Sequence, residues 1–402
     1  PYKDADEEKE KQVILCEEHR RLARETARKS FVLLKNEEQI LPLKKTEKTA
    51  YIGPYVNTRN LMGSWSIIGE VKDVKTIREV LKQENLAENV VFAQGSPMLG
   101  ADVVLEGFTE GTQESSCTPQ EEAQMLEEAV KAAAGAKKVV LCIGEDRLQS
   151  GEATSNANIQ IPEIQQKLLD RVAEVNDNIV VVLFSGRPLD IRDIKAKAKA
   201  ILEVWMPGTE GAGAIADVLY GAYNPTGKLP MSFPYCVGQV PVHYNEYATG
   251  RPHVEGKDKD RFRSKYLDIP NAPLYPFGYG LSYTTFTVSK VSLNKDSMKD
   301  GESIRAAVTV KNTGTCAGTE TIQLYLHDVA ASVVRPVKEL KDFRKVTLQP
   351  EEEARVEFTI TEPQLCFLSE NIIFESEAGI FEIFIGTDST TTNKAKFTLE
   401  KQ

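Results

Sequence analysis

Hydrophobic residues in the first half of the chain follow two patterns, short continuous runs and longer stretches with helical spacing. Short apolar runs, which predict strands, recur at 49–52, 90–93, 138–143, 178–184 and 200–206. Stretches with apolar residues at helical spacing lie before and between them, at about 8–36, 76–84, 118–134, 162–175, 189–198 and 211–220. Strands that alternate with helices predict crossover connections, and therefore a mostly parallel sheet covered by helices on both faces.

Individual residues support this α/β interpretation. Thr118 and Glu121 have the spacing of a capping box, which predicts that a helix begins at 118. The runs 139–143 and 179–184 are almost wholly apolar, as expected for central strands of a parallel sheet. Pro188, between the fourth run and the following helical stretch, suits the first turn of that helix.

The pattern changes in the second half of the chain. Prolines, aromatic residues and a basic cluster near 257–265 predict an extended linker over about 235–282. From about 285 the period becomes two, in runs separated by turn signals at 305–310, 321–325, 355–360 and 381–385. Short alternating strands of this kind predict an antiparallel β-sandwich of the fibronectin or immunoglobulin type.

The amino-acid composition and net charge of the chain favour some classes of binding partner over others. With 402 residues, 41% of them hydrophobic, the chain can build more than one core. Its 49 basic and 59 acidic side chains give a net charge of −10, which disfavours nucleic acid and anionic membranes but is neutral towards sugars. No apolar run approaches the roughly 20 residues of a membrane span. The polar start, without Met or a signal peptide, leads us to expect that an upstream segment was removed.

Cysteine and histidine spacing gives no sign of a metal site. The six cysteines are widely scattered and contain no CxxC pair, so we expect free thiols, with Cys142 a small buried hydrophobe. The four histidines are equally scattered, and no GxSxG motif is present. Zinc-enzyme and serine-hydrolase interpretations are therefore weak, and we predict no metal and no cofactor.

Ligands of open parallel sheets bind beyond the carboxyl ends of the strands, where this chain places polar and aromatic residues. After the first run, Trp65 in a Gly- and Ser-rich loop either stacks on a sugar or folds back onto its own loop. The polar residues after the run 138–143 include Glu145, Asp146, Arg147, Ser150, Glu152 and Asn156. A carboxylate there is a candidate general acid if its surroundings raise its pKa. The alternative is a solvated loop with local ion pairs.

The residues after the last two apolar runs have no single predicted role. Arg187 is placed to hold a carboxylate of a neighbouring loop, in either a structural or a functional role. The glycines at 208, 211 and 213 follow neither the GxGxxG nor the Walker spacing. A nucleotide-dependent α/β enzyme is therefore a minor alternative.

Taken in order, many segments resemble family 3 glycoside hydrolases of the bacterial β-glucosidase type, in which a TIM barrel precedes an α/β sandwich and a fibronectin III-like domain. The matching segments span nearly the whole chain: 25–36, 40–43, Gly63-Ser-Trp65-Ser66, Ser150-Gly-Glu152-Ala153, Gly186-Arg-Pro-Leu189, Pro207-Gly208, 224–234, 275–283 and 335–340. The resemblance implies an α/β sandwich with a mostly parallel sheet, followed by an all-β immunoglobulin/fibronectin III-like sandwich. It further divides the chain into an entry helix and linker from the barrel (1–36), the α/β domain (37–234), an extended linker (235–284) and the fibronectin III-like domain (285–402).

The same resemblance implies a retaining β-glycosidase that removes terminal non-reducing β-D-glucosyl residues with two carboxylates. The nucleophile, an Asp of the upstream barrel, lies outside this chain, and the acid/base matches Glu152, with Glu145 as the second candidate. Trp65 and Ser150 are assigned to substrate binding. The chain departs from the family where Asn156 and Asn158 replace an Arg and an Asp, which suggests that an amide contact replaces a salt bridge.

The predicted substrate is a β-linked oligosaccharide or aryl β-glucoside, with a β-xyloside as the alternative. The family also implies a periplasmic or secreted location, contact of the entry helix and linker with the barrel, and allows a homodimer. Without the barrel, the chain is expected to be inactive. The competing hypothesis is a non-catalytic carbohydrate-binding or scaffolding module, motivated by the change at Asn156.

Overall fold

The computed structural model of the chain describes residues 6–66, 71–100, 103–105, 113–114, 117–254, 256 and 259–401. These residues form two compact units, Pro1–Gly227 and Lys228–Gln402. The first unit is α/β, and the second contains a β-sandwich of two sheets and a separate two-stranded sheet formed by Phe367–Leu368 and Phe374–Glu375; the sequence predicts the α/β class and the sandwich. The domain boundaries expected at residues 36, 234 and 284 stay predictions.

The helices of the first unit surround one main sheet. They are α1 (Glu7–Val13), α2 (Glu17–Ser30), α3 (Ile77–Gln83), α4 (Pro119–Ala134), α5 (Glu163–Ala173), α6 (Arg192–Lys197) and α7 (Gly211–Leu219). Helices α3 and α4 begin with complete capping boxes at Thr76 and Thr118, in which the cap side chain and the Glu three residues later exchange hydrogen bonds with backbone N–H groups. The capping box predicted at Thr118 is confirmed.

The main sheet has six strands in the order β1-β8-β7-β6-β2-β3. The strands of this unit are β1 (Val32–Asn36), β2 (Thr49–Ile52), β3 (Val90–Ala93), β4 (Val104–Leu105), β5 (Gln113–Glu114), β6 (Lys138–Gly144), β7 (Ile179–Phe184) and β8 (Ala200–Glu203), of which β4 and β5 pair separately. All main-sheet pairs are parallel except β1 with β8. Every residue of the central strand β7 is buried, which explains its unbroken apolar sequence.

The helix predicted over 8–36 is wrong at its end. Leu15 adopts a left-handed backbone conformation that separates α1 from α2, and α2 ends at Ser30. The next residues, 32–36, form β1 antiparallel to β8. Val32, Leu33 and Leu34 are all buried. A surface helix would turn some of these consecutive apolar side chains to solvent, whereas a strand covered on both faces buries them all.

Two smaller predictions also fail. The helix expected at 189–198 begins only at Arg192, so Pro188 lies before it rather than in its first turn. The strand expected at 200–206 ends at Glu203, because Glu203 accepts a hydrogen bond from the Trp205 backbone and Trp205 has a positive φ of 56°. Both corrections concern the segments that form the carboxyl edge of the sheet.

In the second unit, the described residues from 228 to 285 contain no helix or strand apart from one 3-10 turn at Val237–Gln239. A β-sandwich follows. Its strands are β9 (Phe286–Val288), β10 (Ser292–Leu293), β11 (Ser297–Lys299), β12 (Ser303–Asn312), β13 (Gly318–Asp328), β14 (Glu339–Leu348), β15 (Glu353–Thr361), β16 (Phe367–Leu368), β17 (Phe374–Glu375), β18 (Gly379–Gly386) and β19 (Lys394–Glu400). One sheet has the order β10-β12-β15, with β9 also on β12, and the other β11-β19-β18-β13-β14.

The sandwich is antiparallel except where β11 runs parallel to β19. Its buried apolar cluster takes residues from both sheets, among them Ile304 and Phe358 from one and Ile322, Ile383 and Phe397 from the other. These residues recur at every second position of their strands, as the period-two pattern predicts.

Candidate active site

The carboxyl ends of β6, β7 and β8 lie side by side at one edge of the sheet. Backbone hydrogen bonds continue past the strands, from the Glu145 N–H to the Phe184 carbonyl at 2.9 Å and from the Val204 N–H to the Leu183 carbonyl at 2.9 Å. The residues directly after these strands are therefore neighbours in space. Parallel sheets bind ligands at this edge.

Glu145 follows β6 and lies inside this edge, only 1% exposed. Its Oε2 accepts a hydrogen bond from the Gly186 N–H at 3.3 Å, and its Oε1 is 3.2 Å from the Arg187 Nε. Burial raises the pKa of Glu145, while Arg187, the Gly186 N–H and a hydrogen bond from Asn156 act in the opposite direction. Glu145 is thus held by its own domain.

The loop after Glu145 begins with a rigid turn. Asp146 accepts a hydrogen bond from the Leu148 N–H at 2.8 Å, and the Gln149 side chain accepts one from the Asp146 N–H at 2.9 Å. Arg147–Gln149 form a single 3-10 turn inside this box. The charged run of the sequence is therefore a cap that starts the loop in a defined direction.

Glu152 lies exposed at the far end of that loop. Its neighbours both have positive φ angles, 119° at Gly151 and 59° at Ala153. Glycine adopts such a conformation readily, but for alanine it is strained. The hydroxyl of Thr154 donates to the Gly151 carbonyl at 2.6 Å and closes the turn. The turn thus leaves Glu152 exposed to solvent.

The base of the loop is held by Arg187. Its Nη2 donates to the Thr154 carbonyl at 2.9 Å and also to the Gln149 carbonyl. Asn156 donates to the same Gln149 carbonyl at 3.3 Å. The other unusual residue, Asn158, accepts a hydrogen bond from the Gln160 N–H at 3.1 Å. Both asparagines therefore make local contacts, and the replacement of a salt bridge by an amide contact stays a prediction.

The Trp65 loop lies against the Glu152 loop. The Ser64 hydroxyl donates to the Ser150 carbonyl at 3.0 Å. A Cβ built on Gly151 would lie 2.8 Å from Ser64 Oγ and 3.1 Å from Trp65 Nε1, so the indole reaches the residue before Glu152. Trp65 is nevertheless 59% exposed. An exposed indole next to an exposed carboxylate suits a sugar ring, whose apolar face stacks on aromatic side chains.

Ser150 is half-buried and packs against Gly186. A Cβ on Gly186 would lie 2.0 Å from Ser150 Oγ, so only glycine at 186 leaves room for this side chain. The structure therefore brings the Ser150–Glu152 segment, Trp65 and Arg187 together. It places Glu145 below them in the protein interior.

Sequence reasoning missed Glu203 and Tyr55. Glu203 ends β8, is fully buried, and accepts hydrogen bonds from the Trp205 N–H at 2.8 Å and the Ser185 hydroxyl at 3.2 Å. Burial raises its pKa to about 8, with a further contribution from repulsion by Glu145. An acidic residue inside an apolar run was the available signal. Tyr55 donates to the Glu145 carbonyl, and its ring stacks on Phe184 at 3.8 Å.

The glycines at the start of α7 have packing roles. A Cβ on Gly211 would lie 2.5 Å from Pro207, and one on Gly213 would lie 2.9 Å from the Arg24 guanidinium. Glu210, the residue before α7, pairs with Arg20 and would repel an anion. These features do not favour a phosphate at this helix, so the nucleotide-dependent alternative gains no support.

The described part of the chain holds no group of three or more His, Cys, Asp or Glu side chains placed to bind a metal ion. All six cysteines lie in the described part of the chain and none of them forms a disulfide there; Cys142 is buried within β6. Across the described residues, no helix is long and apolar enough to cross a membrane.

Comparisons with known proteins agree with the fold and the motifs. The Glycosyl hydrolase family 3 C-terminal domain matches residues 31–283, and the Fibronectin type III-like domain matches residues 320–389. The chain is 43% identical, over 95% of its length and 50% of the relative's, to the periplasmic beta-glucosidase of Salmonella typhimurium. It is 34% identical to a beta-xylosidase of Formosa agariphila, over 93% of this chain and 49% of that protein.

A solved structure also resembles this chain in fold and sequence. The beta-glucosidase of Listeria innocua, crystallised as a mutant in complex with laminaribiose, superimposes with a TM-score of 0.87 at 38% identity, over 96% of this chain and 50% of that one. The chain thus spans about half the length of these relatives. From the domain match, the identity and the shared fold, we conclude that the chain belongs to glycosyl hydrolase family 3 and represents its C-terminal α/β and fibronectin type III-like part.

Proposed function

We propose that this chain supplies the acid/base of a retaining β-glycosidase, and that Glu152 is that residue. The observation that carries the proposal is the position of Glu152, exposed at the tip of a loop at the carboxyl edge of the sheet and beside the exposed Trp65. The second candidate, Glu145, is buried and engaged by Arg187 and Gly186. A buried, paired carboxylate is poorly placed to reach a glycosidic oxygen.

The reaction has two steps. In the first, a carboxylate nucleophile from the upstream barrel forms a bond with the anomeric carbon, while the Glu152 carboxyl gives its proton to the departing glycosidic oxygen. In the second, the Glu152 carboxylate takes a proton from water, the water oxygen bonds to the anomeric carbon, and the nucleophile leaves as a carboxylate. No cofactor takes part. Since the nucleophile belongs to the barrel, the present chain alone is inactive.

The proposed substrate is a terminal, non-reducing β-D-glucosyl residue of an oligosaccharide or aryl glycoside. The names of the Salmonella and Listeria relatives, both beta-glucosidases, support glucose, and the bound laminaribiose of the latter suggests a β-linked disaccharide to test. A β-xyloside is the second candidate, because a beta-xylosidase is also among the relatives. The name of the Salmonella protein supports a periplasmic or secreted location.

The test uses the enzyme with its barrel and an aryl β-glucoside. Glu152→Ala is expected to lower kcat by about 10²–10⁴-fold, the usual contribution of a general acid/base. Azide, which needs no base, is expected to restore turnover of the variant and to give β-glucosyl azide. Glu163→Gln, which removes an exposed carboxylate outside the loop, is the matched control and should keep wild-type activity.

The outcomes separate the hypotheses. Wild-type activity in Glu152→Ala, with loss in Glu145→Gln and rescue by azide there, would move the acid/base to Glu145. An intact wild-type protein that binds oligosaccharides but hydrolyses neither aryl β-glucosides nor aryl β-xylosides would establish the binding-module alternative. Hydrolysis of aryl β-xylosides in clear preference to β-glucosides would change the sugar but keep the role of Glu152.

A further inference from the structure

Arg187 joins a buried carboxylate to the loop that carries Glu152. On one side, its Nε lies 3.2 Å from Oε1 of Glu145. On the other, its Nη2 donates to the carbonyls of Gln149 and Thr154, the latter at 2.9 Å. The guanidinium therefore lies between the interior of the sheet edge and the two ends of the segment 149–154.

The two carbonyls define the base of the Glu152 turn. Gln149 lies three residues before Glu152 and Thr154 two residues after it, so a single donor group fixes both ends of the turn. Within the turn, Ala153 has a φ of 59°, a conformation that a non-glycine residue adopts only when its surroundings impose it. The contacts of Arg187 provide that constraint without touching the Glu152 side chain.

Arginine suits this position for a geometric reason. Its planar guanidinium carries five N–H donors in a fixed arrangement, so it can face a carboxylate with one edge and carbonyl oxygens with another. A lysine ammonium has a single donor centre on a flexible stem and cannot reproduce this geometry. Glu145 in turn is fixed by the Gly186 N–H at 3.3 Å, so the orientation of the guanidinium is set from the protein interior.

We propose that Arg187, oriented by Glu145, is a positioning residue that places the Glu152 carboxyl for proton transfer. This inference rests on the proposed role of Glu152 as acid/base. Loss of Arg187 would remove its hydrogen bonds to both ends of the turn and move the carboxyl by about an ångström or more, a displacement that lowers a rate on the order of 10²-fold. The expected defect is confined to steps in which Glu152 transfers a proton.

Leaving groups distinguish this defect from general damage. With phenyl β-glucoside, the departing phenoxide needs a proton from the acid, whereas 2,4-dinitrophenoxide departs without one. In the barrel-containing enzyme, Arg187→Gln should lower kcat/KM on the phenyl substrate by about 10²-fold. On the dinitrophenyl substrate kcat/KM should change by less than about threefold, since its first step needs no acid. Azide should raise kcat of the variant on the dinitrophenyl substrate.

Two further variants keep the test decisive if Arg187→Gln folds poorly. Removing Arg187 alone takes away the cation that pairs with the buried Glu145 carboxylate, which destabilises the fold. Arg187→Gln combined with Glu145→Gln removes that charge and should show the same leaving-group dependence. Arg187→Lys should fall between the wild type and Arg187→Gln. Arg192→Gln, which removes a neighbouring Arg that pairs with Asp190, is the matched control and should match the wild type.

Glu152→Ala measured in parallel separates this inference from the proposed function. If Glu152→Ala shows the leaving-group dependence and the Arg187 variants do not, Arg187 is not a positioning residue, although Glu152 remains the acid/base. Equal losses on both substrates in the folded double variant would also overturn the inference, because they indicate general damage to the site. If the activity of Glu152→Ala does not depend on the leaving group, Glu152 is not the acid/base, and the role of Arg187 that rests on it is overturned as well.

Discussion

The carboxyl edge of the α/β sheet and the core of the β-sandwich are both buried, but they differ in chemistry. At the sheet edge, Glu145, Asp146 and Glu203 are each at most 1% exposed. In the sandwich, apolar residues such as Ile304, Phe358 and Ile383 form the buried cluster. The second unit also buries carboxylates, but less completely, since Glu320 is 7% exposed, Glu382 8% and Asp328 9%.

The buried carboxylates of the sheet edge lower the stability of the α/β unit. Burying a carboxylate costs free energy unless it is paired or protonated. Glu145 is held by an arginine and a backbone N–H, whereas burial raises the pKa of Glu203 to about 8. Such groups concentrate near sites of chemistry. The expectation is that substitutions in the sandwich core only destabilise, whereas neutralising a buried acid at the sheet edge can stabilise.

The largest stability effect is expected in the sandwich core. Phe358→Ala removes a fully buried ring from β15 and should lower the free energy of unfolding by about 3–5 kcal/mol, at pH 5 and pH 8 alike. Denaturant unfolding followed by circular dichroism measures it. Phe343→Ala, at a position 54% exposed on β14, is the control and should cost far less. Equal losses in the two variants would show that the core described here does not hold the sandwich together.

Glu203→Gln is expected to have a smaller effect of the opposite sign, and one that depends on pH. The folded-state pKa of Glu203 is raised to about 8. The stability that the protonated carboxyl contributes is therefore fully present below the unfolded pKa and is lost as the pH rises through about 8. A Gln side chain does not ionise, so the variant keeps its stability as the pH rises. One pKa unit corresponds to about 1.4 kcal/mol, so the variant should gain about 3 kcal/mol relative to wild type between pH 5 and pH 8.

The measurement is denaturant unfolding of both proteins across that pH range. Below pH 5 the Gln variant should be equal to wild type or slightly less stable, because its amide places an extra donor in the buried site. Glu88→Gln, an exposed position of the same unit, is the control and should show no comparable change with pH. A gain that is the same at pH 5 and pH 8 would contradict the buried-acid interpretation of Glu203.

The same contrast explains what the sequence could predict. The strands β6 and β7 and the capping box at Thr118 depend on neighbouring residues, so local pattern was sufficient. The period-two strands of the sandwich are equally local, and the predicted fold class is confirmed by the structure and the family matches. Motif order also identifies the segment 150–152 from the sequence alone.

Features that depend on long-range pairing could not be predicted in this way. The segment 32–36 is a strand only because it pairs with β8, which lies more than 160 residues later in the chain. Arg187 contacts Glu145, Gln149 and Thr154 across 33 to 42 residues, and only the fold brings them together. Sequence could name two candidate carboxylates, Glu145 and Glu152, but their different burial appears only in the structure.

The smallest effect should come from a charge on the surface of the sandwich. Glu357 on β15 lies 3.7 Å from Arg305 and 3.5 Å from Arg355, and all three side chains are well exposed to solvent. Water and salt screen such pairs, so Glu357→Gln should change the free energy of unfolding by less than about 1 kcal/mol at pH 8. The residual difference should shrink in high salt. Unfolding of wild type and variant at low and high ionic strength measures it, with Glu203→Gln as the buried counterpart. If the two substitutions shift stability by similar amounts with pH, burial is not what distinguishes the acids of the sheet edge from those of the sandwich surface.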